Sequence, residues 1–156
     1  MAEWDIREDG RIIGVTEELS AQEIYEMGRK VEPFQIASAT RIGHIHLSVR
    51  DSQAASAFYQ KVLNLSDKFT VPSASWIASG DYHHHLAVNE WAGKHLAKRE
   101  TQLPGLAYYV IHVEKKEDLV AIAERAKEQE AAVTWLTSSE LAFTDPDGIV
   151  TRVRKV

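Results

Sequence analysis

Cysteine is absent from this chain of 156 residues. Its absence excludes disulfides, thiolate metal sites, iron–sulfur clusters and a cysteine nucleophile, so a bound metal must take its ligands from histidine, carboxylate or water. Long apolar runs are also absent, and no segment approaches the roughly 20 apolar residues of a membrane span. No secretory signal follows Met1. We therefore expect a soluble cytoplasmic protein without a membrane partner.

The chain also lacks a concentration of positive charge. The formal net charge is −5, and the lysines and arginines are scattered along the sequence. Because proteins that bind nucleic acid carry a basic patch or stripe, we expect no nucleic-acid partner. Apolar residues make up 44% of the chain, which is enough for the core of one domain or of two small halves that share a core.

Histidine is the residue type whose placement is most informative. Five of the seven histidines fall in two short strand-like segments, Arg41 to Val49 and Tyr82 to Val88. Because alternate side chains of a strand share a face, His44 groups with His46 in the first segment, and His83 groups with His85 in the second. Two strands that aim neutral imidazoles into one space commonly hold first-row divalent metals. The alternative is a solvated sheet face whose histidines meet only water.

Residues 1–40 form an N-terminal arm that precedes the main pattern of strands and helices. Within it, Arg11 to Val15 is a candidate strand, and Ala21 to Lys30 is a candidate helix. Ser20 and Glu23 have the spacing of a capping box at the start of that helix. The arm is expected to pack as an extension of the domain that follows.

The rest of the chain has the same order of elements twice. Residues 41–88 have the pattern of a β-α-β-β-β unit, residues 89–104 are a polar linker, and residues 105–156 repeat the order. An offset of 64 residues aligns His44 with Tyr108 in the opening strands of the two units. This weak internal repeat predicts two facing units whose strands curve around a pocket.

Six short segments carry a resemblance to a known family. They are GHIHLSV at 43–49, AFY at 57–59 with LNL at 63–65, YHHH at 82–85, NEW at 89–91 and TDPDG at 144–148. On these residues the chain resembles the vicinal oxygen chelate superfamily, which includes glyoxalase I, bleomycin-resistance proteins and type I extradiol (ring-cleaving) dioxygenases. The resemblance covers about residues 40–156.

The resemblance implies an α+β fold in which two paired βαβββ modules form a curved mixed sheet around a pocket. Module 1 would be residues 41–88 and module 2 residues 105–156 of one domain. The segments at 82–85 and 89–91 look like the second domain of two-domain catechol 2,3-dioxygenase-like proteins. The arm looks like the segment that joins the two domains there. We therefore expect a companion first domain, or a homodimer in its place.

The resemblance also implies metal ligands on the first and last strands of each module. His44 takes the first-strand position of module 1, and His85 takes the last-strand position. In module 2, the positions where extradiol dioxygenases carry a histidine and a glutamate hold Tyr108 and Arg152. A guanidinium has no lone pair to give to a metal, so the usual two-histidine, one-carboxylate site is incomplete.

An alternative site would use histidines alone. His46 and His83 share the predicted faces of His44 and His85, so module 1 could assemble a metal site without module 2. Neutral imidazoles suit several divalent metals. The resemblance favours Fe(II), and Mn(II), Zn(II) and Ni(II) are the alternatives.

Five other residues are candidates for roles around the substrate. Tyr108 and Arg152 can both donate hydrogen bonds to a carboxylate or phenolate oxygen. His112 and Tyr82 would line the same cavity as proton carriers. Trp76 is expected at the pocket rim.

Two classes of function therefore stay open. The first is metal-dependent chemistry on a small oxygen-bearing substrate, either ring-cleaving dioxygenation of a catechol-type compound or a glyoxalase-type reaction. The second is a non-catalytic ligand-binding or scaffolding module of the same fold, as the bleomycin-resistance proteins illustrate. The ring-cleaving hypothesis is favoured because the segment at 82–85 is similar to that of the catechol 2,3-dioxygenase-like proteins.

Overall fold

Module 1 is a strand, a helix and three further strands. The computed structural model describes residues 6–9, 11–12, 18–28, 35–93, 95–98, 100 and 102–156. The elements of module 1 are β1 (Ile45–Ser48), α2 (Ser52–Leu63), β2 (Ser66–Val71), β3 (Ala74–Ala78) and β4 (Leu86–Asn89). Their sheet has the strand order β1-β4-β3-β2. β1 pairs in parallel with β4, and the other pairs are antiparallel.

Module 2 repeats this order and topology. Its elements are β5 (Tyr109–Val113), α3 (Lys116–Glu128), β6 (Val133–Thr137), β7 (Glu140–Thr144) and β8 (Val150–Lys155). The sheet order is β5-β8-β7-β6, with a parallel β5–β8 pair. β5 begins 64 residues after β1, and β8 begins 64 residues after β4. The predicted α+β fold with two paired βαβββ modules is confirmed.

Local sequence signals set the ends of α2. Asp51 caps the helix, because its carboxylate accepts hydrogen bonds from the backbone N–H groups of Gln53 and Ala54 at 3.0 and 2.9 Å. Asn64 ends it in the left-handed conformation with φ of 55°, which asparagine tolerates better than most residues. The capped helix therefore starts immediately after β1 and crosses back over the sheet.

The two helices and the inner faces of both sheets share one core. Val49 and Phe58 of module 1 and Leu119 and Phe143 of module 2 are all almost fully buried in one apolar cluster. The rings of Phe58 and Phe143 have centroids 6.0 Å apart. Arg125 of α3 also donates a hydrogen bond to the carbonyl of Val62 in α2, at 2.9 Å. Because the core lies on the inner faces, the outer face of each sheet is left for other contacts.

A buried polar contact also joins the modules. The Tyr59 hydroxyl of α2 donates to Asp145 Oδ2 at 2.7 Å, and Asp145 Oδ1 accepts from the backbone N–H of Ile149 at 2.7 Å. Asp145 starts the tight turn between β7 and β8, in which Gly148 has φ of 86° and its N–H donates to the Asp145 carbonyl. Burial raises the pKa of Asp145, and these hydrogen bonds oppose that rise.

Two elements differ from the sequence expectations. The arm helix α1 is Ala21–Met27, and Ser20 Oγ accepts from the Glu23 N–H at 3.4 Å as expected of the cap. The expected strand at 11–15 lies largely outside the described residues, and Ile12 within it forms an isolated antiparallel bridge with Ile6. The strand expected from Tyr82 to Val88 is shorter, because regular pairing begins only at Leu86.

We expect Tyr59→Phe to lower the free energy of unfolding by about 1–3 kcal/mol, because it leaves the buried Asp145 carboxylate with one donor fewer. Urea denaturation followed by circular dichroism measures this loss. Tyr108→Phe is the matched control, since Tyr108 is 42% exposed, its ring stacking on Arg152 is kept by phenylalanine, and its change should stay within about 0.5 kcal/mol. Equal stability of the two variants would refute a contribution of the Tyr59 hydroxyl to joining the modules.

Candidate metal centre

The first strand presents histidines on the outer face of the module 1 sheet. Leu47 and Val49 point into the core and are 4% and 1% exposed. Strand alternation then directs His46 and Ser48 outward, and both are exposed. His44 directly precedes the strand and is exposed as well. The placement of His44 and His46 on one face agrees with the sequence expectation.

The second histidine segment does not follow the expected alternation. Residues 82–85 form a bend rather than a strand, so their side chains are not constrained to alternate. His85 joins the sheet only through its backbone, and its Nδ1 accepts from the Ser79 N–H at 3.3 Å. The His84 ring turns toward the first strand instead.

Three imidazoles meet as a consequence of this bend. His44, His83 and His84 each offer a ring nitrogen, and these nitrogens lie within 4.8 Å of one another. The ring centroids are separated by 4.3 Å for His44 and His84, and by 4.2 Å for His83 and His84. Two nitrogens bound to one tetrahedral zinc ion are about 3.4 Å apart, so the three rings would have to rotate toward one another to share an ion.

The electrostatic setting favours neutral imidazoles. Burial, and to a smaller extent the nearby histidines, lower the pKa of His84 to about 3. The same two causes lower the pKa of His83. Neutral imidazole has the lone pair that a divalent metal needs, and protonated imidazole does not. The donor set therefore fits a divalent metal, although it contains no carboxylate.

His46 contacts this group through a single hydrogen bond. His46 Nε2 and His84 Nε2 are 3.0 Å apart. While that bond is kept, His84 can give a lone pair to a metal only from Nδ1, and its Nε2–H must donate to His46. A hydrogen bond to the second ring nitrogen is the usual way in which a ligating histidine is oriented.

Aromatic rings extend from His46 across the same outer face. Trp91 lies 6.5 Å from His46 between centroids, Trp76 lies 6.3 Å from Trp91, and Phe69 lies 5.3 Å from Trp76. Trp76 therefore adjoins the histidines only through Trp91. Trp91 is 64% exposed, so it offers an apolar surface beside the cluster.

Tyr82 packs against the other side of the histidine group. Its ring centroid is 4.4 Å from that of His83 and 4.7 Å from that of His85. Its hydroxyl lies against Gly43, where an added Cβ would come within 2.9 Å of the oxygen. The small residue before β1 is therefore what lets Tyr82 approach the first strand.

The candidate residues of module 2 form a separate group on the outer face of their own sheet. The Arg152 guanidinium stacks 3.7 Å above the centre of the Tyr108 ring. Glu140 accepts from Arg154 at 3.0 Å and lies 3.7 Å from Arg152. His112 is exposed on β5 opposite Arg154. These side chains offer donors to an anion and no set of metal ligands.

Three of the four histidines predicted as metal ligands therefore lie near one another, and His84, which was not predicted, lies with them. His44, His46 and His83 come together, whereas His85 turns to Ser79 and His84 takes its place beside His44. Alternation could not have identified His84, because it applies only to residues within a strand. The Ser79-Gly80-Asp81 turn just before the segment was the available signal that regular pairing starts late.

Comparison with known proteins agrees with this architecture. The chain belongs to the Glyoxalase/Bleomycin resistance protein/Dioxygenase superfamily, whose pattern matches residues 41–153. It is 32% identical over 126 residues to the catechol-2,3-dioxygenase of Bacillus subtilis (strain 168). That alignment covers 80% of this chain and 44% of the relative, so the chain spans less than half of that protein's length.

Solved structures share the fold at lower identity. A glyoxylase/bleomycin resistance protein/dioxygenase domain from Frankia sp. EAN1pec superposes with a TM-score of 0.61 at 22% identity, covering 76% of this chain and 98% of that one. Lactoylglutathione lyase from Agrobacterium tumefaciens gives 0.54 at 19% identity, covering 76% and 95%. Within the described part of the chain, every helix is too short or too polar to cross a membrane.

We expect His46→Ala to weaken Zn(II) binding by about 10- to 100-fold, because His84 loses the acceptor that orients its ring. His46→Gln should recover part of the affinity, since its amide oxygen can accept the same bond. Competition with a chromophoric chelator measures both. The exposed His95 supplies the control His95→Ala, and equal affinities for His46→Ala and His95→Ala would contradict the orienting role.

Proposed function

We propose that this chain is a metal-dependent domain of ring-cleaving dioxygenase type, acting on a small catechol-type substrate. The observation that carries the proposal is the group of three imidazole nitrogens of His44, His83 and His84. The similarity to a catechol-2,3-dioxygenase over 126 residues supports the reaction class. Because the chain spans only 44% of that relative, we include a companion domain of the same fold, or a second copy, in the proposal.

Fe(II) is the metal we favour, with Mn(II), Zn(II) and Ni(II) as alternatives that imidazole also accepts. His44, His83 and His84 would hold it, and His46 would orient His84. A bound divalent ion would supply chelation of two adjacent substrate oxygens, and iron would add reaction with O₂. His85, which the family resemblance favoured as a ligand, is the competing candidate for the third position.

The residues around the histidines have defined tasks in this proposal. Trp76 and Trp91 present apolar rings along the sheet face, where an aromatic substrate can pack. Tyr82 adjoins His83, so its hydroxyl can exchange a proton with a substrate oxygen there. Arg152 and Tyr108, with His112 on the same sheet, offer donors to an anionic group of a substrate.

A non-catalytic ligand-binding or scaffolding role is the second candidate. The observation that favours it is the stacked pair of Tyr108 and Arg152 at the positions where the family resemblance implies metal ligands. Arg152 is also engaged by Glu140. A module of this kind would bind its ligand or its companion without turnover. A glyoxalase-type reaction would need the same histidines as the dioxygenase and differs from it in not consuming O₂.

Metal analysis of protein purified without a histidine tag tests the proposal. We expect about one divalent ion per chain, a loss of at least about tenfold in affinity for His84→Ala, and little change for His85→Ala. These two variants are matched, because they remove neighbouring imidazoles of the same segment. The reverse result would assign the third position to His85.

Oxygen consumption with catechol then separates the functions. The iron-loaded protein should consume O₂ when catechol is added, and His44→Ala should abolish it. If the protein binds metal but consumes no O₂, even with a companion domain present, a glyoxalase-type reaction would be favoured. Absence of metal after incubation with Fe(II) or Zn(II) would move the assignment to the non-catalytic role.

A further inference from the structure

A cavity lies beside the histidine cluster and is not used by the proposed metal centre. Its volume is about 230 Å³. One wall is the edge of β1 that does not face β4, with His46 and Ser48, and the other is apolar, with Leu96 and Leu106 from the segment between β4 and β5 and Ile149 from module 2. His46 is the residue that the cavity shares with the cluster, through its 3.0 Å bond to His84.

The β1 wall supplies hydrogen-bonding groups because β1 is an edge strand. The N–H groups of Ile45 and Val49 donate to β4 residues, to the His85 and Asn89 carbonyls at 3.1 and 2.9 Å. In a strand the intervening backbone groups point to the opposite edge, so those of His46 and Ser48 face the cavity. His46 and Ser48 thus each present a backbone N–H donor and a backbone C=O acceptor to the cavity.

An ion pair between the modules lines one end of the cavity. Arg50 Nε lies 2.5 Å from Asp147 Oδ1, and Arg50 also donates to the Pro146 carbonyl at 2.8 Å. Because the guanidinium and carboxylate neutralise each other, this end offers no net charge to a ligand. The remaining wall is aliphatic, so the cavity fits a neutral group better than an ion.

The volume sets the size of that group. Drug-sized ligands occupy pockets of roughly 300–1,000 Å³, and a benzene molecule fits an apolar cavity of about 150 Å³. A space of about 230 Å³ therefore holds one ring with a small substituent. Leu106 lines the cavity and is 47% exposed.

We propose that this cavity is a binding subsite for a neutral, single-ring group with one hydrogen-bonding substituent, and that Leu106 sets its size limit. This subsite proposal rests on the proposed function only where it identifies the single-ring group as the non-reacting part of the substrate. Its position next to His46 places such a group at the edge of the metal centre. The backbone groups of His46 and Ser48 bind the substituent, and the leucines pack on the ring.

Methyl NMR of the metal-free protein tests the subsite with two probes. p-Cresol has one ring and one hydroxyl, and 2-naphthol has two fused rings. We expect p-cresol to cause saturable shifts at the Leu96, Leu106 and Ile149 methyls, and 2-naphthol to bind about tenfold more weakly. Absence of saturable shifts at these methyls with p-cresol would overturn the inference.

Variants of Leu106 and Leu103 sharpen the test. Leu106→Trp should fill the cavity and weaken p-cresol binding by about tenfold or more, and Leu106→Ala should admit 2-naphthol. Leu103→Trp is the matched control, because Leu103 is a linker leucine with 61% exposure that does not line the cavity. Equal losses in Leu103→Trp and Leu106→Trp would refute the assignment.

Zn(II) content of the same variants separates this inference from the proposed function. The metal site should load equally in Leu106→Trp and in the unchanged protein, because Leu106 is not in the histidine group. Metal binding without p-cresol binding would overturn the subsite alone. Binding of p-cresol at these methyls without any metal loading would overturn the proposed function and leave the subsite standing.

Discussion

Packing of the two helices into one shared core is the constraint on which the rest of the structure depends. Phe58 of α2 meets Phe143 of module 2, and Leu119 of α3 is completely buried in the same cluster. This core covers only the inner face of each sheet. The side chains that alternate with the core residues along β1 and β5 therefore point to the outer face. Chemistry-bearing residues are therefore concentrated on the two outer faces by the same alternation that builds the core.

The sequence predicted what depends on periodicity. The 64-residue repeat and the Ser20 and Glu23 start of the arm helix are patterns with direct physical causes, and the structure has both. What it could not predict is where pairing begins in a strand-like segment. His83 and His85 look equivalent by alternation, yet the ladder begins only at Leu86, so the residues before it take directions set by packing.

That late start of β4 determines the composition of the candidate centre. With an extended strand from residue 82, His84 would point toward the core with Leu86. The bend instead brings His84 against His44 and His46 and leaves His85 with Ser79. Family resemblance assigns a position in sequence, whereas coordination depends on direction in space. A resemblance at the level of the segment can therefore hold while the histidine that meets His44 differs by one residue.

In the proposed centre a third imidazole takes the place of the usual carboxylate. This difference affects which substrate group the metal would prefer. Two histidines and one carboxylate would reduce the charge of a bound divalent ion to about +1, whereas three neutral imidazoles leave it at +2. The excess charge favours a ligand that ionises on binding, which a catechol does and an ether or amide does not. Proton acceptance near the site then becomes more important, and the lowered pKa of His83 and His84 limits their use for it. Tyr82, which adjoins His83 and has room beside Gly43, is therefore better placed in the proposed centre to exchange a proton than the proposed ligands themselves.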